Sequence, residues 1–229
     1  TRYRAAYVDT YYGSGANLTG IAISSDAQKN TVAGTNAGDA FSGTTPTNNT
    51  LVGFDAGTDI NTGTFNTCFG SESGLNITSG ETNTAIGAAT LNQCTTGEKN
   101  TAIGFAALSN TTNSEFNTGL GFYAGALNTT GNNNTSVGGY AGNTATTGSY
   151  ATNIGYGAGY NNTQGSGVFV GAQAGWNAST AQYATFIGRS AGFACTGNNT
   201  IAIGYAACDA GSGDNNGAIG HESLTNLST

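Results

Sequence analysis

The sequence predicts an all-β fold, a parallel β-solenoid of about twelve coils with 16 or 17 residues each, on three observations. An apolar-Gly pair recurs at a nearly constant interval. Residues of one size class fill fixed columns around it, and the composition is too uniform for an ordinary globular domain. The anchoring glycines are Gly34, Gly53, Gly70, Gly87, Gly104, Gly121, Gly138, Gly155, Gly171, Gly188, Gly204 and Gly220, with successive spacings of 19, 17, 17, 17, 17, 17, 17, 16, 17, 16 and 16. The copies from Asn83 to Gly87 and from Asn100 to Gly104 are identical.

Each column then has a physical reading. One residue before the anchor runs an apolar ladder: Val52, Phe69, Ile86, Ile103, Leu120, Val137, Ile154, Val170, Ile187, Ile203 and Ile219. It is expected to point inward. Three before the anchor is mostly Thr, from Thr31 to Thr185, and period-two alternation puts this column on the same face as the ladder. Three after the anchor is always small, as at Ala56, Ser73, Ala107, Ala124 and Ala191, which marks a narrow interior between two close walls. A coil of this length allows two strands of roughly five residues and two turns, hence a flattened two-sided roll. No coil buries its own apolar edge, so stacking at about 4.8 Å per coil makes the core and a rod of roughly 55–60 Å. Gly at the anchor supplies the positive φ of a tight corner. Asn four before it (Asn30, Asn49, Asn66, Asn83, Asn100, Asn117, Asn134) suits a stacked amide ladder.

Residues 1–29 do not fit the repeat and read as a cap or docking segment, with 30–229 as the solenoid. The chain starts at Thr1 and stops partway through a coil at Thr229. That predicts a removed leader or a longer parent chain, and an open end that continues or stacks on a partner.

Composition narrows the function. Only 7% of the 229 residues are charged, and the five basic ones (Arg2, Arg4, Lys29, Lys99, Arg189) form no patch in a chain of net charge −7, which argues against nucleic-acid binding. No apolar run approaches the ~18 residues of a membrane-spanning helix, and no basic segment precedes an apolar one as in a signal peptide. Aromatic residues at 10% and recurrent Ile and Val argue for burial rather than disorder.

The repeat is clearest in NTAIGFAALSNTT, Asn100 to Thr112. It resembles the head repeats of trimeric autotransporter adhesins of the YadA type. It is still more similar to the NTAIG-type repeats of fibre and tail-spike-like proteins of phages and large viruses. The resemblance covers about residues 30–224, and implies a left-handed β-roll and assembly as a homotrimer. The adhesin repeat is shorter, so extra turn residues are present here. Nothing in this chain matches the stalk, anchor or chaperone domains of such proteins.

Candidate sites are few. The single histidine, His221, has no second His near it to build a metal cluster or a triad, and reads as a surface residue. Glu81, Glu98 and Glu115 lie 17 apart and should stack, either in solvent or around a weakly held Ca²⁺. The calcium-binding Gly-Gly-x-Gly-x-Asp repeat is absent. A uniform carboxylate ladder offers no cleft for glycoside hydrolysis. Cys68, Cys94, Cys195 and Cys208 show no CxxC spacing. Cys68 and Cys94, and Cys195 and Cys208, fall on neighbouring coils, which suggests two disulfide staples in an oxidising compartment, against four buried thiols. Phe54, Phe105, Phe122, Tyr156 and Tyr205, with Tyr160 and Trp176 nearby, make an outward aromatic column for protomer packing or for a sugar.

The function expected is therefore structural. The chain reads as a subunit of an extracellular, cell-surface or virion fibre, without catalytic residues or cofactor. Its partners are copies of itself, as a trimer or an end-to-end filament, and a receptor or glycan. The alternative is an ice-binding solenoid, which needs outward Thr rows; the Thr column beside the ladder is expected to face inward instead.

Overall fold

The computed structural model describes residues 27–41 and 45–227, so the expected cap lies, except for residues 27–29, outside the described residues. The described chain is a parallel β-solenoid without a helix, and so without one long and apolar enough to cross a membrane. Each coil contributes one three-residue strand ending one residue before its anchor: β1 (Thr31–Ala33), β2 (Thr50–Val52), β3 (Thr67–Phe69), β4 (Thr84–Ile86), β5 (Thr101–Ile103), β6 (Thr118–Leu120), β7 (Thr135–Val137), β8 (Thr152–Ile154), β9 (Val168–Val170) and β10 (Thr185–Ile187). Two-residue strands β11 (Ala194–Cys195), β13 (Ala210–Gly211) and β15 (Asn226–Leu227) alternate with β12 (Ile201–Ile203) and β14 (Gly217–Ile219). The twelve longer strands form one sheet in chain order, and the three short ones a second. Register is strict: Thr84 pairs with Thr101, Ala85 with Ala102 and Ile86 with Ile103.

The other side of the coil is not the second five-residue strand that length alone suggests. From the anchor onward every second residue has positive φ, as at Gly87 (126°), Ala89 (56°) and Leu91 (46°). Such alternation cannot pleat, so the chain crosses that side as a string of turns. Coils still bond to each other there: the Ala89 N–H donates to Ser71 O at 2.9 Å, and the Leu91 N–H to Ala107 O at 3.2 Å. Left-handed geometry costs a non-Gly residue roughly 1–2 kcal/mol, so these ladders must impose it. At the anchor the backbone of the next coil excludes a side chain. A Cβ on Gly87 would lie 2.7 Å from the Gly104 carbonyl oxygen.

Period-two alternation holds within each strand, but in the opposite sense to that expected. The ladder faces outward: Ile86 is 38% exposed, Leu120 43% and Ile154 41%. Val137, Ile103 and Val170 are half-buried and Ile187, Ile203 and Ile219 exposed on the same face. The buried residue is the middle one of the strand, as at Leu51, Ala85, Ala102, Phe169 and Phe186, all 0% exposed. The cause is the narrow interior. The small column three after the anchor is fully buried from Ala56 to Ala207, and its wall approaches closely enough to leave room for about one large side chain per coil.

That side chain comes from either of two positions, never both. Where the middle strand residue is large, the residue four after the anchor is Gly: Leu51 with Gly57, Phe169 with Gly175, Phe186 with Gly192. Where it is Ala, the other is larger: Ala85 with Leu91, Ala102 with Leu108, Ala202 with Cys208. The two occupy one space, since a Cβ on Gly57 would lie 2.7 Å from Leu51 Cδ2 and one on Gly175 2.6 Å from Phe169 Cδ1. This fills the interior in two clusters, one of aliphatic residues from Leu51 to Leu108 and one around Phe169 and Phe186. Between them the column turns polar with Gly119, Ser136 and Asn153. There the buried Asn153 Oδ1 has no hydrogen-bond partner.

Candidate functional site

The Asn column holds one corner straight. Asn100 Oδ1 accepts from the Asn117 backbone N–H at 3.0 Å, while Asn100 Nδ2 donates to the Ser114 carbonyl at 2.8 Å. The same pattern joins Asn49 to Asn66, Asn66 to Asn83, Asn83 to Asn100 and Asn117 to Asn134, and ends where Asn134 accepts from the Ala151 N–H. The ladder ties each coil to the next beside the sheet, and the sheet face next to it repeats once per coil in register.

That face is the first candidate site. It carries a Thr column and an apolar column side by side, and none of its twelve strands contains a charged residue. Soluble proteins rarely leave a contiguous apolar surface of this extent uncovered without a use for it. The ladder residues were expected as core; the structure makes them surface instead, for the reason of interior width given above.

The second candidate is an aromatic ridge across successive coils. Phe105 stacks on Phe122 with centroids 5.5 Å apart, and Phe122 meets Tyr123 edge-on at 4.6 Å. Tyr140 continues the ridge to Tyr156 at 6.0 Å, and Trp176 lies parallel on Tyr160 at 4.5 Å. Tyr140, Tyr156, Tyr160 and Trp176 line an open cleft of about 270 Å³. Gly157 makes the geometry available, because any side chain there would enter the Trp176 ring. The column expected from the sequence contained Phe105, Phe122, Tyr156 and Tyr205. Tyr123 and Tyr140 escaped it because they sit one residue later, and the shift is signalled by Gly139, which vacates the first column just where Tyr140 fills the second. No charged residue occurs between Glu115 and Arg189, so the cleft lies in a wholly uncharged stretch.

The remaining candidates separate. The acidic column carries its own cation, since Lys99 Nζ lies 2.9 Å from Glu98 Oε2. The Lys99 pKa is raised, first by that hydrogen bond and then by the charges of Glu98, Glu115 and Glu81. The three carboxylates are thus brought together around a lysine, and no group of three metal-binding side chains occurs among the described residues. His221 is exposed and stacks on Tyr205 at 5.1 Å. All four cysteines are buried thiols. Burial pushes Cys68 and Cys94 up to about 12. Cys195 and Cys208 face each other, and the hydrogen bond between them lowers Cys195 and raises Cys208.

No family model, curated protein or solved structure matches this chain.

Proposed function

We propose that the chain is a structural and interaction protein, a subunit of an extracellular or virion fibre that assembles with copies of itself through its uncovered sheet face. One observation carries the reading: the outward apolar column is uncharged and in strict register along twelve strands. A surface that repeats once per coil is matched along its whole length only by a partner with the same repeat, and the simplest such partner is another copy. The resemblance to trimeric heads favours three copies about one axis. Sedimentation equilibrium of the purified protein, and of a variant carrying Ile86→Lys, Ile103→Lys and Leu120→Lys, tests this. These positions face outward and tolerate Lys without disturbing the interior, so the wild type should sediment as a trimer and the variant as a folded monomer. A wild-type monomer at micromolar concentration overturns the reading.

The aromatic cleft is the part of the surface assigned to a receptor or glycan. Trp176 is the only tryptophan of the chain, so its fluorescence reports directly on titration with neutral oligosaccharides. An unchanged spectrum removes that assignment.

A second reading, an ice-binding solenoid, gains from the Thr column facing outward rather than inward. Thermal hysteresis by a monomeric preparation would replace the fibre reading with this one.

A further inference from the structure

We propose that Cys195 and Cys208 form a disulfide tying two neighbouring coils together, while Cys68 and Cys94 remain thiols. Cys195 lies seven after its anchor Gly188, in β11, in a column that points inward at Ile60, Ile77 and Cys94. Cys208 lies four after Gly204, at the position that turns inward whenever the middle strand residue is Ala, here Ala202. One coil thus presents its sulfur from the seventh position and the next from the fourth, at the same depth. The two Sγ atoms are 2.7 Å apart and both residues are fully buried. Unbonded sulfurs do not pack so closely, and the bonded length of about 2.05 Å is less than an ångström away. The thiols meet each other inside an otherwise Ala-rich interior, with the Gly197 backbone and the Thr200 hydroxyl also in hydrogen-bonding reach of Cys195.

The other pair is arranged differently, although adjacent coils suggested the same outcome for both. Cys68 fills its own coil as the middle strand residue, packed over Gly74, where a Cβ would lie 2.6 Å from its sulfur. Cys94 turns its sulfur to the Gly97 carbonyl at 3.7 Å instead of toward Cys68.

The bond forms by thiol–disulfide exchange with a small-molecule disulfide such as oxidised glutathione. One cysteine thiolate, its proton released to water, attacks a sulfur of the oxidant and expels one thiolate. The second cysteine thiolate then attacks the protein sulfur of the mixed disulfide and expels the other. Two electrons pass to the oxidant, which leaves as two thiols. The closed interior has no room for the mixed disulfide, so exchange takes place before the last coils stack. A bond of this kind persists in an oxidising compartment, which agrees with an extracellular or virion location but does not depend on the fibre reading.

The test is to refold the protein in an oxidising glutathione buffer, denature it in guanidinium with N-ethylmaleimide and no reductant, and weigh it intact. The expected product carries two maleimides, mapped to Cys68 and Cys94, and the Cys208→Ser variant carries three. Dithiothreitol should lower the thermal midpoint of the oxidised wild type by roughly 5–10 °C and leave that of Cys208→Ser unchanged. Four adducts on the wild type, or adducts mapped to Cys195 and Cys208, overturn the proposal.

Discussion

Residues 30–134 and residues 151–219 wind the same coil and hold it closed by different means. In the first stretch a buried Asn stands at every closing corner, the spacing from Gly53 to Gly155 is a constant 17, and the interior from Leu51 to Leu108 is filled by aliphatic and Cys side chains. In the second the corner holds Ala151, Gly167, Ala184 and Thr200 before an Asn returns at Asn216, three of four spacings shorten to 16, and two phenylalanines with centroids 5.3 Å apart dominate the core. The sheet runs through both without a break in register. The fold is therefore set by the parallel ladder and the narrow interior, and what closes the corner is exchangeable. At this corner the first stretch relies on a buried amide ladder; the second lacks that ladder, packs two phenylalanines in its core, and keeps buried amide bonds elsewhere, as at Asn162.

The largest expected effect breaks the corner of the first half. Asn100→Ala strands the buried Asn117 N–H and Ser114 C=O, and should cost about 2–6 kcal/mol in urea unfolding. At the matching corner of the second half, Thr200→Ala removes a weak bond at 3.3 Å to the Asn198 carbonyl and a hydrogen bond to Cys195, and should cost about 1–2 kcal/mol. Equal costs would mean that the two corners do the same work after all.

Next in size is the interior. Leu91→Gly leaves a cavity and should cost about 3 kcal/mol. Ala85→Leu alone overfills the coil, since both side chains enter one space. The double variant restores the arrangement of Leu51 with Gly57, and should recover most of the stability, giving a coupling of about 2–3 kcal/mol. Additive costs would show that the two positions do not share a volume.

The smallest effect is on pH. Cys68 and Cys94 keep their protons up to about 12 in the folded state against 9.0 unperturbed, so the unfolded chain loses protons first and stability falls as pH rises above 9. Each thiol contributes a slope of up to about 1.4 kcal/mol per pH unit in that window. Cys68→Ala should remove one such share from the stability–pH curve measured between pH 9 and 11. A slope unchanged by the substitution would mean that the thiol ionises equally well in both states.

Much of this was legible in the sequence, because a repeat averages over its copies. The constant interval gave the solenoid, the invariably small column gave the thin interior, and the Asn run from Asn30 to Asn134 gave the amide ladder. The sense of the strand was not legible from alternation, which says that Thr84 and Ile86 share a face but not which face. A large apolar residue is normally the inward one; here the coil is too thin to take Ile86 and Leu91 together, and Ala85 faces in. The signal that decides it lies in paired columns rather than single ones: Leu51 with Gly57, Ala85 with Leu91, Phe186 with Gly192. The missing second strand was hidden for another reason. Ala89, Glu72 and Tyr123 take positive φ without being Gly, so composition gave no sign of the turns. Of the candidate site, the aromatic residues were visible but not their convergence, which depends on Gly139 and Gly157 shifting the ridge between columns.

In cryo-electron microscopy of the assembled protein, the sheet faces bearing Thr101, Ile103, Leu120 and Ile154 should face one another between copies, with the aromatic cleft left on the outer surface. Separate rods, each with that face turned to solvent, would contradict that arrangement.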